Sequence, residues 1–283
     1  MMRARLTLPL ALCQRRVAEG VRRFAAYATA RELREACRQG SFAAHTTGEA
    51  PGFVQANLVI LPGQYADDFH QFCASNAAPC PLLECTDPGD WEPRRLAPGA
   101  DVRSDLPKYH IWREGSMVEE CQDVRHLWDG QMRAFLLGCS FTWEEGRNVP
   151  MYNTSIPLKG AGPFQGQMVV SMRPYKVQDS DKVAEITGRY PAAHGQPVQV
   201  GQPSVIGVQD IAQPDYGQAV SVRDGEVPIF WACGVTPQNA LRNAKLPLVI
   251  THAPGHMFVA DITNDQLRSW KVPGEWRARP AEE

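Results

Sequence analysis

Leu248-Val-Ile-Thr-His-Ala-Pro-Gly-His-Met-Phe-Val-Ala-Asp261 is the stretch from which the rest of this 283-residue chain is best read. Leu248, Val249 and Ile250 are aliphatic, two of them β-branched, and suit a buried strand. Pro254-Gly255 forbids continuation and forces a tight turn. That turn carries His252 and His256, and Asp261 ends the next apolar run. Two imidazoles and a carboxylate near the end of a buried strand form a common seat of chemistry in α/β proteins. The plainer reading is a pair of loop histidines bonded to backbone. For either one alone that reading is the stronger; for the pair on one Pro-Gly turn, function is.

Working outward, apolar runs bounded by breakers recur on both sides. Phe53 to Leu61, a short run within Pro79–Pro88, Gln167 to Pro174 and Glu226 to Cys233 read as strands. Lys108–Arg113 and Ser116–Cys121 read as a hairpin turning at Glu114-Gly115. Helices are expected over Thr29–Gly40, where Thr29 and Glu32 have capping-box spacing, and over Gln64–Cys73, Asp179–Thr187 and Thr263–Trp270. Another starts at Gly234, with Thr236 as cap and Pro237 at its first position. Val124 to Leu137 also looks helical, running into Gly138-Cys139-Ser140-Phe141, with a second helix beginning at Thr142. On that reading Cys139 and Ser140 sit where backbone N–H groups converge, as in an anion or oxyanion site. Equally, Gly138 and Ser140 or Thr142 are only caps and Cys139 is inert. Asp90 to Asp105 is a long loop, and His194-Gly195 and Gly201 mark tight points in an irregular segment. Arg173, at a strand end before Pro174, is placed to hold a carboxylate; pairing with a nearby acid is the alternative. Gly146–Asn153, with Arg147 and Asn148, is expected to be a loop facing a small-molecule substrate.

Composition narrows the classes. With 29 basic and 31 acidic residues the net charge is −2, which speaks against a nucleic-acid partner. No apolar stretch is long enough to span a bilayer, so no membrane partner is expected. Residues 1–24 hold six arginines and one acid, leaving 23 basic and 30 acidic residues for the rest, a charge of −7. Such an Arg-rich, acid-poor leader with interleaved leucines has the character of a cleaved targeting segment, and Arg22-Arg23-Phe24 before Ala25 suits mitochondrial processing. The expected location is the mitochondrial matrix, with the cytoplasm as the alternative. Eight scattered cysteines without a Cys-x-x-Cys pair fit a reducing compartment and no structural disulfide. No glycine-rich phosphate loop follows a strand, which sets aside ATPases, kinases and simple dinucleotide dehydrogenases.

Several long motifs, in order, carry a resemblance. Gly52-Phe-Val-Gln-Ala-Asn-Leu-Val-Ile-Leu-Pro62, Pro79-Cys-Pro-Leu-Leu-Glu84, Leu136-Leu-Gly-Cys-Ser-Phe141, Gly146-Arg-Asn-Val-Pro-Met-Tyr152, Val170-Ser-Met-Arg-Pro174, Gly225-Glu-Val-Pro228, Phe230-Trp-Ala-Cys-Gly-Val-Thr-Pro237 and Thr251-His-Ala-Pro-Gly-His-Met257 resemble the D-glutamate cyclase family, whose bacterial members are called "putative hydro-lyase". The resemblance spans about residues 28–268. It implies α/β with an α+β second part, a mixed-sheet, two-part architecture. The expected division is a main α/β domain of residues 25–164 plus 231–270 and a smaller α+β domain of 165–230, with 271–283 as a disordered tail. It also implies loss of water from D-glutamate to give 5-oxo-D-proline. Family members resemble this chain less at one point: a longer segment separates their Cys-Ser-Phe-Thr block from the Glu-Gly-Arg-Asn block, here Glu145–Asn148.

Ring closure needs an acid/base, an orienting clamp and stabilisation of an oxyanion. His252 or His256 supplies the first, with Asp261 setting its tautomer. Arg173, helped by Arg147 or Asn148, clamps the α-carboxylate, and Cys139-Ser140 faces the oxyanion, with Cys139 a nucleophile in a second version. No cofactor is expected. In an alternative, His252, His256 and Asp261 hold a divalent metal that serves a hydratase or lyase acting on another small carboxylate. A third reading keeps the pocket as a binding module without turnover. A homo-oligomer is compatible with all three.

Overall fold

The structure, a computed structural model, describes residues 27–143 and 149–271. The targeting segment expected over residues 1–24, nearly all of the tail expected over 271–283, and Arg147 and Asn148 lie outside the described residues.

Strand β1 (Phe53–Leu61) is the axis of the larger sheet, and every residue after Phe53 in it is buried. Side chains alternate faces along a strand. Val54, Ala56, Leu58 and Ile60 therefore enter one apolar core, and Val59 and Leu61 enter another on the opposite face. Seven strands make this sheet. Besides β1 they are β2 (Leu82–Cys85), β3 (Tyr109–Arg113), β4 (Ser116–Cys121), β5 (Arg133–Gly138), β10 (Val249–His252) and β11 (Phe258–Thr263). Their order is β2-β5-β1-β10-β3-β4, with β11 also on β1. Val59 pairs with both Phe135 and Thr251, and Ala56 with both Gly138 and Phe258. One edge of β1 thus carries β5, and the other carries β10 on its later half and β11 on its earlier half. Helix α1 (Ala30–Arg38), opened by the Thr29–Glu32 capping box, packs Ala30, Leu33 and Cys37 on Val259 of β11. Helices α2 (Ala66–Ser75) and α4 (Val235–Ala244) cover the Val59 face through Phe69, Phe72, Ala240 and Leu241. The long loop expected over 90–105 covers the other face with Leu96, Ala97, Ala100 and Val102.

The second sheet has the order β6-β7-β9-β8, from β6 (Met151–Pro157), β7 (Gln167–Lys176), β8 (Gln199–Val200) and β9 (Glu226–Ala232). Tyr152, Val170, Met172, Ile206, Val208 and Phe230 form its own core. The recorded pairings in both sheets are antiparallel. Helix α3 (Ser180–Gly188) and the short α5 (Asn264–Leu267), the latter opened by a Thr263–Gln266 capping box, complete the described elements. The two-part α/β architecture is present in this division into two sheets, each with a core.

Several local expectations are corrected. Val124–Leu137 is not a helix: a short turn at Arg125–Leu127 gives way to β5. Arg133–Gly138 is buried at every position, and an apolar run of that length has no periodicity to separate strand from helix. Thr142 lies within a single 3-10 turn, Ser140–Trp143, and its hydroxyl bonds the backbone of Gln55; the helix expected to follow falls on residues outside those described. Thr236 does not cap α4 either. Its Oγ1 accepts from Val169 N–H at 2.9 Å and donates to Val169 C=O at 3.1 Å, tying α4 to β7. Residues 151–153, expected in a loop, begin β6 because Met151, Tyr152 and Asn153 find partners in β7.

Gly138 ends β5 directly beneath the 190–194 segment. A Cβ there would lie 1.7 Å from the Ala192 carbonyl oxygen, a backbone atom. Gly138→Ala is therefore expected to lower stability by about 1–3 kcal/mol through forced displacement, measured as a fall in urea midpoint at constant m-value.

Candidate active site

Residues flagged by the sequence gather in two groups along β1. The first forms where β5 runs out. Ser140 Oγ accepts from Arg173 Nη2 at 3.4 Å, and Ser171 Oγ accepts from Arg173 Nη1 at 3.3 Å. The Arg173 guanidinium carbon also stands 5.8 Å from the Trp231 ring centre. Cys139, half-buried, precedes Ser140 in the same turn. Ser140 and Arg173, expected around one site, are thus in contact, and a strand rather than a helix delivers Ser140.

The second group is the histidine bend. His252 lies in β10 itself, not on the turn, and is 3% exposed. The β1 backbone is paired with β10 at Val59 and Ile60 and with β11 at Gln55 and Ala56. In between, His252 Nδ1 lies 3.2 Å from the Leu58 nitrogen and 3.3 Å from the Leu58 carbonyl oxygen, so the ring stands in for a strand. The other ring nitrogen lies 3.3 Å from Gln238 Nε2 on α4. Burial pushes the His252 pKa down to about 4, against a smaller opposing pull from the Leu58 backbone. With both nitrogens engaged, His252 braces the split between β10 and β11.

His256 is arranged differently. Its Nδ1 is 2.9 Å from the Pro254 carbonyl oxygen, which can only accept, so the proton sits on Nδ1 and Nε2 keeps its lone pair. Burial lowers its pKa, and the His45 ring packs edge-on with centroids 4.7 Å apart. Sequence reading did not single out His45, which lies in a breaker-rich loop.

Asp261 is a correction. Its carboxylate takes Arg34 Nη2 at 2.8 Å, while Arg34 Nη1 donates to Val259 C=O at 2.7 Å. Alternation along β11 puts Asp261 on the same face as Val259, toward α1, whereas Phe258, Ala260 and Ile262 point into the opposite core. The Asp261 carboxylate is bonded to Arg34 and to neither imidazole, so Asp261 does not set a histidine tautomer. For the same reason His252, His256 and Asp261 do not converge as a metal-ligand set, and no group of three metal-binding side chains occurs among the described residues.

A line of hydrogen bonds joins the two groups. Thr142 Oγ1 accepts from Gln55 N–H at 3.0 Å, Thr46 Oγ1 donates to Gln55 Oε1 at 2.7 Å, and Gln55 Nε2 donates to Thr46 C=O at 2.8 Å. Thr46 Oγ1 also accepts from Met257 N–H at 3.1 Å, and Thr46 N–H donates to Gly255 C=O at 2.9 Å. The Ser140–Thr142 turn and the Pro254-Gly255 bend are thereby tied to one segment of β1. Asn57, buried beside them, donates to Gly138 C=O at 3.4 Å and fits against Gly234, where a Cβ would meet its amide at 2.5 Å. A separate open groove lined by Leu158, Gly160, Gln165, Gly166, Gln167 and Asn243 has no titratable side chain and offers no comparable chemistry.

One residue of the first group was visible in sequence only as a tight point. His194 is 4% exposed, sits at φ 76°, and donates from Nδ1 to Ala78 C=O at 2.9 Å. Burial pushes its pKa down to about 4, with the nearby Arg173 charge acting in the same direction. No periodicity or motif marks such a ring, because its burial comes from strands distant in sequence.

Comparison with known proteins finds relatives over most of the chain. The family model described as D-glutamate cyclase matches residues 133–261, a span that includes Cys139, Ser140, Arg173, His252, His256 and Asp261. A "Putative hydro-lyase" from Rubrobacter xylanophilus is 52% identical over 246 residues, covering 82% of this chain and 95% of its own. A namesake from Geobacillus kaustophilus is 48% identical over 258 residues, covering 86% and 98%. One from Stutzerimonas stutzeri is 49% identical over 249 residues, covering 83% and 94%. The chain is a carbon–oxygen lyase of the hydro-lyase class. It belongs to the D-glutamate cyclase family.

Two outcomes follow from the geometry. Asp261→Asn is expected to cost about 1.5–3 kcal/mol of stability through the weakened Arg34 contact, with turnover per folded molecule unchanged; a collapse in kcat at full folding would return Asp261 to the chemistry. His194 and His252 have folded pKa values of about 4 against 6.5 unfolded. The unfolded chain binds the extra protons, so this stability is complete above pH 6.5 and is lost as pH falls through 4, on the order of 3 kcal/mol for each ring. Urea unfolding between pH 7.5 and 4.5 measures it, and the slope should be shallower in His194→Asn.

Proposed function

We propose that this chain closes D-glutamate to 5-oxo-D-proline with release of water. The amine nitrogen bonds to the γ-carboxyl carbon, one carbon–oxygen bond breaks, and two protons that leave nitrogen depart on that oxygen. The observation that carries the reading is the Arg173–Ser140–Ser171 corner within a family-matched segment. A planar guanidinium steadied by two hydroxyls suits an α-carboxylate and fixes the direction of the neighbouring amine.

His256 is the acid/base in this scheme. A neutral ring whose Nδ1–H is held by Pro254 presents Nε2 for proton uptake and return. Ser140, beside Cys139, lies toward the oxygen that gains charge as the tetrahedral centre forms. The mitochondrial matrix stays part of the proposal on the strength of residues 1–24, and import of a fluorescent fusion tests it.

Purified chain incubated with D- and L-glutamate should yield, from the D-isomer, a product lighter by one water by mass spectrometry. His256→Ala should lower kcat by about 100-fold or more. Arg173→Met should raise KM by about tenfold or more. Because burial lowers the His256 pKa, the acid limb of the wild-type rate profile should fall below pH 6.5. No product from either isomer ends the proposal.

A further inference from the structure

His194 is the buried group that the scheme above leaves unused. Among the described residues, nothing hydrogen-bonds its Nε2, although the residue is only 4% exposed. A buried polar nitrogen without a partner costs about 1–3 kcal/mol, so its retention calls for a donor that arrives with a ligand. The ring is fixed on its other side by the Nδ1–H to Ala78 contact, which leaves Nε2 as a pure acceptor. Its backbone sits in the left-handed region at φ 76°, where it ends the short turn Pro191–Ala193.

Its location is the arginine corner. The Ala192 carbonyl, two residues earlier, lies against Gly138, and Gly138 leads through Cys139 to Ser140, which accepts from Arg173. The Arg173 charge is near enough to depress protonation of the ring, and burial depresses it further, so Nε2 stays an acceptor at neutral pH. A guanidinium and a neutral imidazole acceptor, both gathered around the end of β5, match the two charged groups on the α-carbon of an amino acid. The geometry points to His194 Nε2 as the acceptor for the substrate's α-ammonium, which with Arg173 on the α-carboxylate makes a head-group site selecting α-amino acids over plain dicarboxylates. This rests on the D-glutamate reading and deepens it.

The test uses the full chain. His194→Asn keeps an amide near the Nδ1 position, tolerates the left-handed backbone and removes the distal acceptor. His194→Gln restores an amide oxygen near the Nε2 position. For His194→Asn, KM for D-glutamate should rise about tenfold or more, while inhibition by glutarate, which lacks the amine, stays within about twofold of wild type. His194→Gln should recover part of the loss, and thermal melts establish that each variant is folded. A parallel weakening toward glutarate would make His194 a structural support, and an unchanged KM would mean that solvent satisfies Nε2; either overturns the assignment. If the wild-type chain does not dehydrate D-glutamate, the function reading fails instead. Thermal protection by α-amino acids against their deaminated analogues then tests the head-group site alone. Amine-dependent protection lost in His194→Asn supports it, and its absence from the wild type overturns it.

Discussion

The contact of the His252 ring with the Leu58 backbone is the one on which the arrangement around β1 turns. β1 is buried on both faces, so each N–H and C=O along its edges needs a partner. Two consecutive strands, β10 and β11, share one edge of β1 and leave a break between them. An imidazole fills it. That substitution lets residues 253–257 leave the sheet and form the Pro-Gly turn that carries His256, with the Leu58 backbone still in polar contact.

The same device appears twice more. Where β5 ends, the Thr142 hydroxyl takes both the N–H and the C=O of Gln55. Where α4 meets the second sheet, Thr236 does likewise for Val169. Each junction ends a strand and starts a segment that carries chemistry: Cys139-Ser140 at the first, Gln238 toward His252 at the second. Side-chain caps of this kind fix orientation more tightly than apolar contact does, because a hydrogen bond has a direction.

A buried charge network lies on the α1 side of the sheet. Arg34 and Arg38 of α1 converge on Asp105, which is fully buried, and Arg34 continues to Asp261. A buried carboxylate held by two guanidiniums is costly to disturb from one side. The network locks α1 and the long covering loop to β11. Asp261 belongs to this lock, and its distance in function from the histidines follows from the pleat alone.

Strands bounded by Pro and Gly, the hairpin at Glu114-Gly115 and the Thr29 capping box were legible in the residues, because period, breakers and caps act over a few positions. So was the candidacy of His256, Arg173 and Ser140, whose types and strand-end positions signal chemistry. What only the tertiary structure decided was pairing and face. β5 is a strand because it finds β1 and β2 on its two sides, and nothing within Ala134–Leu137 records that. Asp261 faces Arg34, His252 braces a backbone, and His194 is sealed against Ala78 for one reason: burial and hydrogen-bond partners come from segments distant in sequence, and a side chain's surroundings, more than its type, set what it can do.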